Sequence, residues 1–217
     1  MVAAKTTSHI ILRLYVSERN ESRLNMSKRD QKKEDILLAG MEIMRAKGYN
    51  GTSVKDIVDS AGVPKGSFYN YFASKEDFAI TAVEHAANEG LRAAEVMLHD
   101  TSIPPLVRLS SYFETSMQQA CCAEFKQGCF LGNMCQEMAD SSDNLRMTLD
   151  RKLRRLTGLI AEVVEEVLQE RGNDRGLDAK QTAGFLFNAW EGAIMRAKAA
   201  KNRDSLDGFL AMLPALF

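Results

Sequence analysis

The sequence predicts an all-α protein of about nine helices, and three observations carry that prediction. Leu145, Leu149, Leu153, Leu156, Ile160, Val163 and Val167 step by threes and fours, which places them on one face of an α-helix. Four prolines in 217 residues leave long stretches that nothing interrupts. After residue 25 no segment alternates apolar and polar residues as a half-buried strand does.

Residues 1–25 stand apart. His9 to Val16 is apolar but short, broken by Arg13 and followed by charges. It lacks the long apolar core and cleavage site of a signal peptide, and it reads as a disordered extension or as the product of an upstream start codon. Ser27 to Gly48 is the first helix, with Ile36, Leu37, Ile43 and Met44 in its stripe and Gly48 to end it. Ser53 caps the next, whose apolar face is Val54, Ile57, Val58 and Ala61. Gly62 stops it and Pro64 suits the approach to another, which runs from about Lys65 to Phe72. Ser74 caps a long helix from Lys75 to about His99, roughly 35 Å at 1.5 Å per residue. Helices follow over Leu106 to about Phe125, Cys129 to about Ala139, Asn144 to Arg171, Ala179 to about Ala200, and Ser205 to Leu216.

Phe68 and Phe72 fall on one face of the Lys65–Phe72 helix. Lys65, Ser67, Tyr69, Asn70 and Tyr71 occupy the others. A face so rich in aromatic, amide and hydroxyl groups is unusual against solvent. It suits a DNA major groove, where Asn reads adenine and Lys and hydroxyls reach phosphates. Two short helices about a tight turn give the helix-turn-helix geometry. The charge agrees. Residues 26–75 carry nine Lys/Arg against six Asp/Glu, and residues 76–217 carry fifteen against twenty-one. A basic end on an acidic body fits DNA binding confined to that end. Hydrophobic content of 45% is ordinary for a globular protein, and no run of about eighteen apolar residues occurs. No transmembrane helix is expected, and the protein reads as cytoplasmic.

Gly48-Tyr-Asn-Gly-Thr-Ser53, Ala61-Gly-Val-Pro-Lys-Gly-Ser-Phe-Tyr-Asn-Tyr-Phe72 and Ser74-Lys-Glu76 together resemble the DNA-binding signature of TetR-type repressors. The resemblance implies a helix-turn-helix domain over 26–74 and a helical regulatory and dimerisation domain over 75–217. It places Thr52 and Lys75 on phosphates. Lys65, Gly66, Ser67, Tyr69, Asn70 and Tyr71 fall at the operator, with Gly66 letting backbone approach DNA. It also implies a homodimer built from two late helices, so that two recognition helices enter successive major grooves about 34–36 Å apart. Leu153, Leu156, Ile160, Val163 and Val167 are the candidate interface, although the same stripe would serve as internal core.

Cys121, Cys122, Cys129 and Cys135 lie within fifteen residues. The histidines, His9, His85 and His99, are remote from them, so zinc is not expected, nor is any cofactor. Cys129 follows Lys126 and starts a helix. A cation and a helix N-terminus both favour thiolate, whereas a buried Cys is an inert small hydrophobe. Gly128-Cys-Phe-Leu131, Glu137 to Ser142, Ala189-Trp-Glu-Gly-Ala193 and Ala197-Lys198 resemble the TetR-type branch that includes the N-ethylmaleimide-responsive repressor. That branch implies electrophile or oxidant sensing at Cys129 with Lys198 beside it. Relatives with the same Gly-Cys-aliphatic motif instead bind small carboxylates or other ligands. For such a ligand Phe113, Met117, Phe130, Met134, Phe187, Trp190 and Met195 are candidate pocket liners.

The expected function is therefore a DNA-binding repressor, homodimeric on a palindromic operator and released by an inducer. A helical interaction protein that binds no DNA is the alternative. A thiol enzyme is weaker, because there is no glycine-rich phosphate loop, no Gly-x-Ser-x-Gly and no His set beside a nucleophile.

Overall fold

The computed structural model describes residues 26–217, and the reading of residues 1–25 as a disordered extension lies outside them. The described residues form nine α-helices, a closing 3-10 turn and no strand. They group into two compact units that divide between Ala82 and Val83. No described helix is long and apolar enough to cross a membrane.

The first unit holds α1 (Lys28–Lys47), α2 (Val54–Ser60), α3 (Lys65–Phe68) and the start of α4 (Lys75–Leu98). Ser27 caps α1 by accepting from the Asp30 N–H, and Gly48, at φ 75°, ends it. Ser53 and Asp56 form a reciprocal capping box on α2: the Ser53 hydroxyl accepts from the Asp56 N–H at 3.1 Å, and Asp56 accepts from the Ser53 N–H at 2.8 Å. Lys47 reaches the same carboxylate at 2.8 Å. Lys47, then Ser53, hold Asp56 well below the usual carboxylate range. Its stabilising effect is therefore present at neutral pH and is lost as pH falls through the acid range. Ser53→Ala should cost the head about 1 kcal/mol, read as a lower urea midpoint with an unchanged slope.

The core of this unit is aromatic. Phe68, Phe72 and Phe78 are fully buried with ring centroids 4.9 to 5.8 Å apart. Gly40 makes the close approach of α1 possible. A Cβ there would meet the Phe78 ring at 2.5 Å and Ile57 at 2.8 Å.

Helix α3 is shorter than its sequence suggests. Only Lys65–Phe68 is helical, and Tyr69 to Tyr71 continue as turns. The Phe72 and Tyr71 N–H groups both return to the Phe68 carbonyl at 3.0 Å. The chain therefore still brings Phe72 back under Phe68, as the four-residue spacing requires.

The second unit holds the rest of α4, then α5 (Pro105–Cys122), α6 (Phe130–Met138), α7 (Asp143–Arg171), α8 (Ala179–Ala200) and α9 (Asp204–Met212), closed by a 3-10 turn over Leu213–Leu216. Phe113, Trp190 and Phe209 stack at 4.8 to 5.1 Å in its core. Arg108 is buried there. It donates to the Leu98 and Ile103 carbonyls and pairs with Glu166, which ties the α4–α5 corner to α7. An unpaired buried guanidinium would be costly, and every polar edge here has an acceptor.

Candidate functional site

The head presents its expected reading surface on the turn after α3. Tyr69 is 56% exposed although its ring leans edge-on against Phe68 at 5.3 Å. Lys65, Gly66 and Asn70 are exposed, and Ser67 and Tyr71 are half-buried. Gly66 has open space where a Cβ would stand, so packing does not demand glycine there. The Asn70 carbonyl accepts from Arg29 at 3.4 Å, and Lys33 lies over the Phe72 ring at 5.3 Å. These two bring cations of α1 up to the turn.

Of the two expected phosphate contacts, the Thr52 side chain turns inward and Lys75 stays near the surface. Thr52 is 1% exposed and its hydroxyl donates to the Gly48 carbonyl at 2.7 Å. Its side chain braces the α1–α2 corner and is not offered to a phosphate. The Lys75 ammonium sits 4.1 Å from the centre of the Tyr49 ring, a cation–π contact that holds it near the surface.

A second polar cluster forms in the other unit around α6. Cys129 is its N-cap, and the sulfur accepts from the Gly132 N–H at 3.4 Å. Across from it stands α8. The Glu191 carboxylate lies over Gly132, where a Cβ would meet its Oε2 at 2.7 Å, and the Lys198 stem lies over Gly128, where a Cβ would meet its Cδ at 3.2 Å. The two glycines let the 128–133 segment lie flat against α8. Asn133 secures the entry by donating to the Gln127 carbonyl at 3.0 Å, and Lys201 donates to the Phe125 carbonyl at 3.0 Å.

The electrostatics reverse the sequence expectation for Cys129. Burial, then the Glu191 charge, push its thiol up to about 12, and the helix amides offset this only in part. Lys126, the expected cation, pairs instead with Glu124. Burial and the Glu191 carboxylate therefore both work against thiolate at Cys129. Burial raises Glu191 as well, and a hydrogen bond from Cys129 counters it. Tyr112 on α5 faces both groups and is raised by burial and by their charges. Sequence reasoning gave Glu191 and Tyr112 no role. The available signal was an acid at 191 beside the apolar Leu186, Phe187, Trp190, Ala193 and Ala197 of α8.

Both units of the chain match models of known protein families. Residues 36–82 match the model of bacterial regulatory proteins, tetR family, and residues 105–213 match the tetracyclin repressor-like C-terminal domain. The HTH-type transcriptional repressor DhaR of Mycobacterium sp. (strain GP1) is 33% identical over 181 residues, 83% of this chain and 89% of that one. This chain belongs to the TetR family of transcriptional regulators. The HTH-type transcriptional repressor NemR of Escherichia coli K12 is 28% identical over 180 residues, 82% of this chain and 90% of that protein. The crystal structure of regulatory protein TetR from Rhodobacter sphaeroides superposes with a TM-score of 0.78 at 31% identity, covering 83% of this chain and 95% of that one.

Within this TetR-family fold the expected interface stripe turns inward. Ile160, Val163 and Val167 are fully buried inside the chain, and Leu153 and Leu156 pack against the same core. Ile160, Val163 and Val167 therefore serve as internal core, while Leu153 and Leu156 are half-buried beside it. The outward side of α8 instead carries Phe185 and Met195, 60% and 58% exposed. Met195 is thereby removed from the candidate pocket liners. Phe113, Met117, Phe187 and Trp190 share one buried cluster, and Phe130 and Met134 are buried on α6.

Proposed function

We propose that this TetR-family chain is a cytoplasmic repressor that binds a palindromic operator as a homodimer and leaves it when an inducer acts on the second unit. The observation that carries the reading is the solvent-facing Tyr69-Asn70-Tyr71 turn, held on a buried Phe68–Phe72–Phe78 anchor. An anchored turn that exposes aromatic, amide and cationic groups together is costly against water and complementary to a DNA groove. Lys65, Gly66 and Ser67 complete the reading surface. Relatives such as DhaR and NemR are transcriptional repressors, which supports the sign of the regulation. Helix α4 belongs to both units, so a displacement of it by an inducer reaches both.

The inducer acts at the Cys129 cluster, as a small ligand or as an electrophile or oxidant. The neutral thiol of Cys129 favours the ligand. The nearness of Lys198 and the likeness to NemR favour the covalent route.

A gel shift with the DNA upstream of the chain's own gene tests the reading. The unmodified protein should give a specific, salt-sensitive shift. Tyr69→Ala and Asn70→Ala should each lose about 1–3 kcal/mol of specific binding, with fold and oligomeric state unchanged. Specific binding retained at full strength in both variants would remove this turn from the operator interface.

A further inference from the structure

The segment that carries Cys129 meets α8 at two glycines, and a different charge lies over each. Glu191 sits over Gly132, beside the Cys129 sulfur, and the Lys198 stem lies over Gly128; the two side chains stand two helical turns apart on one face of α8. Both contacts are steric. Neither glycine can become alanine without moving an α8 side chain or the loop. Tyr112 on α5, half-buried, is raised by burial and then by the Cys129 and Glu191 charges.

We propose that Glu191 is the residue that selects the chemistry available at Cys129. With its carboxylate seated over Gly132, the thiol donates to Glu191 and is a polar anchor, not a nucleophile. With that charge removed or displaced, the Gly132 and Leu131 N–H groups are the remaining polar groups at the sulfur, and both favour thiolate. The selector rests on the reading of this cluster as the sensing site. The titratable groups around the Cys129 segment are Glu191 from α8 and Tyr112 from α5, with the Lys198 stem over Gly128. Cys135 is also raised by burial and by the Glu191 charge, so one carboxylate restrains two thiols.

N-ethylmaleimide reports this directly. Its reaction adds the S–H across the C=C bond: a sulfur–carbon bond forms, the π bond is consumed, and the neighbouring carbon takes a proton. No oxidant or leaving group takes part. Peptide mass mapping of the full chain gives the rate at each cysteine, with Cys122, which is exposed, as internal standard.

Glu191→Gln should speed modification of Cys129 about tenfold at neutral pH, a larger gain in thiolate being partly offset by its weaker nucleophilicity. The midpoint of the pH–rate curve should move down. Gly132→Ala should do the same with the carboxylate still present, because its Cβ would stand 2.7 Å from the present position of Oε2 and push it aside. That substitution also favours the helix, so it keeps the test alive if Glu191→Gln folds poorly. In urea all variants should react alike. An unchanged or slower Cys129 in either folded variant, or a rise no larger than at Cys121, overturns the selector. The readout needs no DNA. If the rates behave as expected and modification leaves operator binding intact, the selector stands and the sensing reading falls.

Discussion

Phe68→Ala is expected to unfold the DNA-binding head while the larger unit stays folded. Helix α3 is a single turn, far too short to hold itself in water. It is shaped by what Phe68 touches. That ring is completely buried, 5.3 Å from Tyr69 and from Phe72 and 5.8 Å from Phe78. Truncating a buried Phe costs about 3–5 kcal/mol, part lost transfer energy and part cavity. A unit of this size commands only about 5 kcal/mol in all. The variant should therefore show a new, low urea transition ahead of the main one and no specific gel shift even at low salt. A single cooperative transition at the wild-type midpoint would mean that the ring contributes little and that the turn is organised from elsewhere.

Much of this architecture was legible because the helices are amphipathic and punctuated. Ser27, Ser53, Ser74, Ser142 and Asp178 stand at the head of helices. The side chains of all five accept from the N–H three residues on. What the sequence could not resolve is where periodicity is ambiguous. Ile160, Val163 and Val167 step like an interface and like a core in the same way, because a 3.6-residue period records burial without saying against which chain. Exposure adds what the period cannot: on a different helix, two apolar residues ten positions apart, Phe185 and Met195, are left facing outward. Thr52 illustrates a second limit. A hydroxyl in a DNA-binding motif suggests phosphate, yet the Gly48 carbonyl one turn away offers it a local acceptor.

Charge was the least legible feature. Cys129 has the helix N-terminus that lowers a thiol, and the sulfur does accept from Gly132. Burial and an acid sixty-two residues along the chain outweigh it. Linear proximity pointed to Lys126, which is exposed and occupied by Glu124. Arg108 is similar: one cation among Val107 and Leu109 gives no hint of two carbonyls and Glu166. Long-range pairing becomes visible only once helices from distant parts of the chain are packed together.

The outward face of α8 leads to the second large effect, on assembly. Ala183, Leu186, Phe187, Trp190, Ala193 and Ala197 are buried on one side of this helix. On the other, Phe185 and Met195 are exposed, and Gly184 and Gly192 have nothing within 4 Å of an added Cβ. Gly158 on α7 is equally open. Large apolar side chains set among glycines expose apolar area and also allow a second backbone to come close, which is the surface a helix-packed interface uses. A two-fold interface counts every substitution twice. Losing two buried Phe side chains at about 2 kcal/mol each corresponds to roughly a thousandfold weaker association, before the added penalty for burying charge. Phe185→Glu should accordingly sediment as a monomer at micromolar concentration. It should keep the wild-type circular dichroism and lose the specific gel shift, because one head alone spans one half-site. A Phe185→Glu protein that remains dimeric at nanomolar concentration would show that α8 meets solvent here and that the partner, if any, binds through another face.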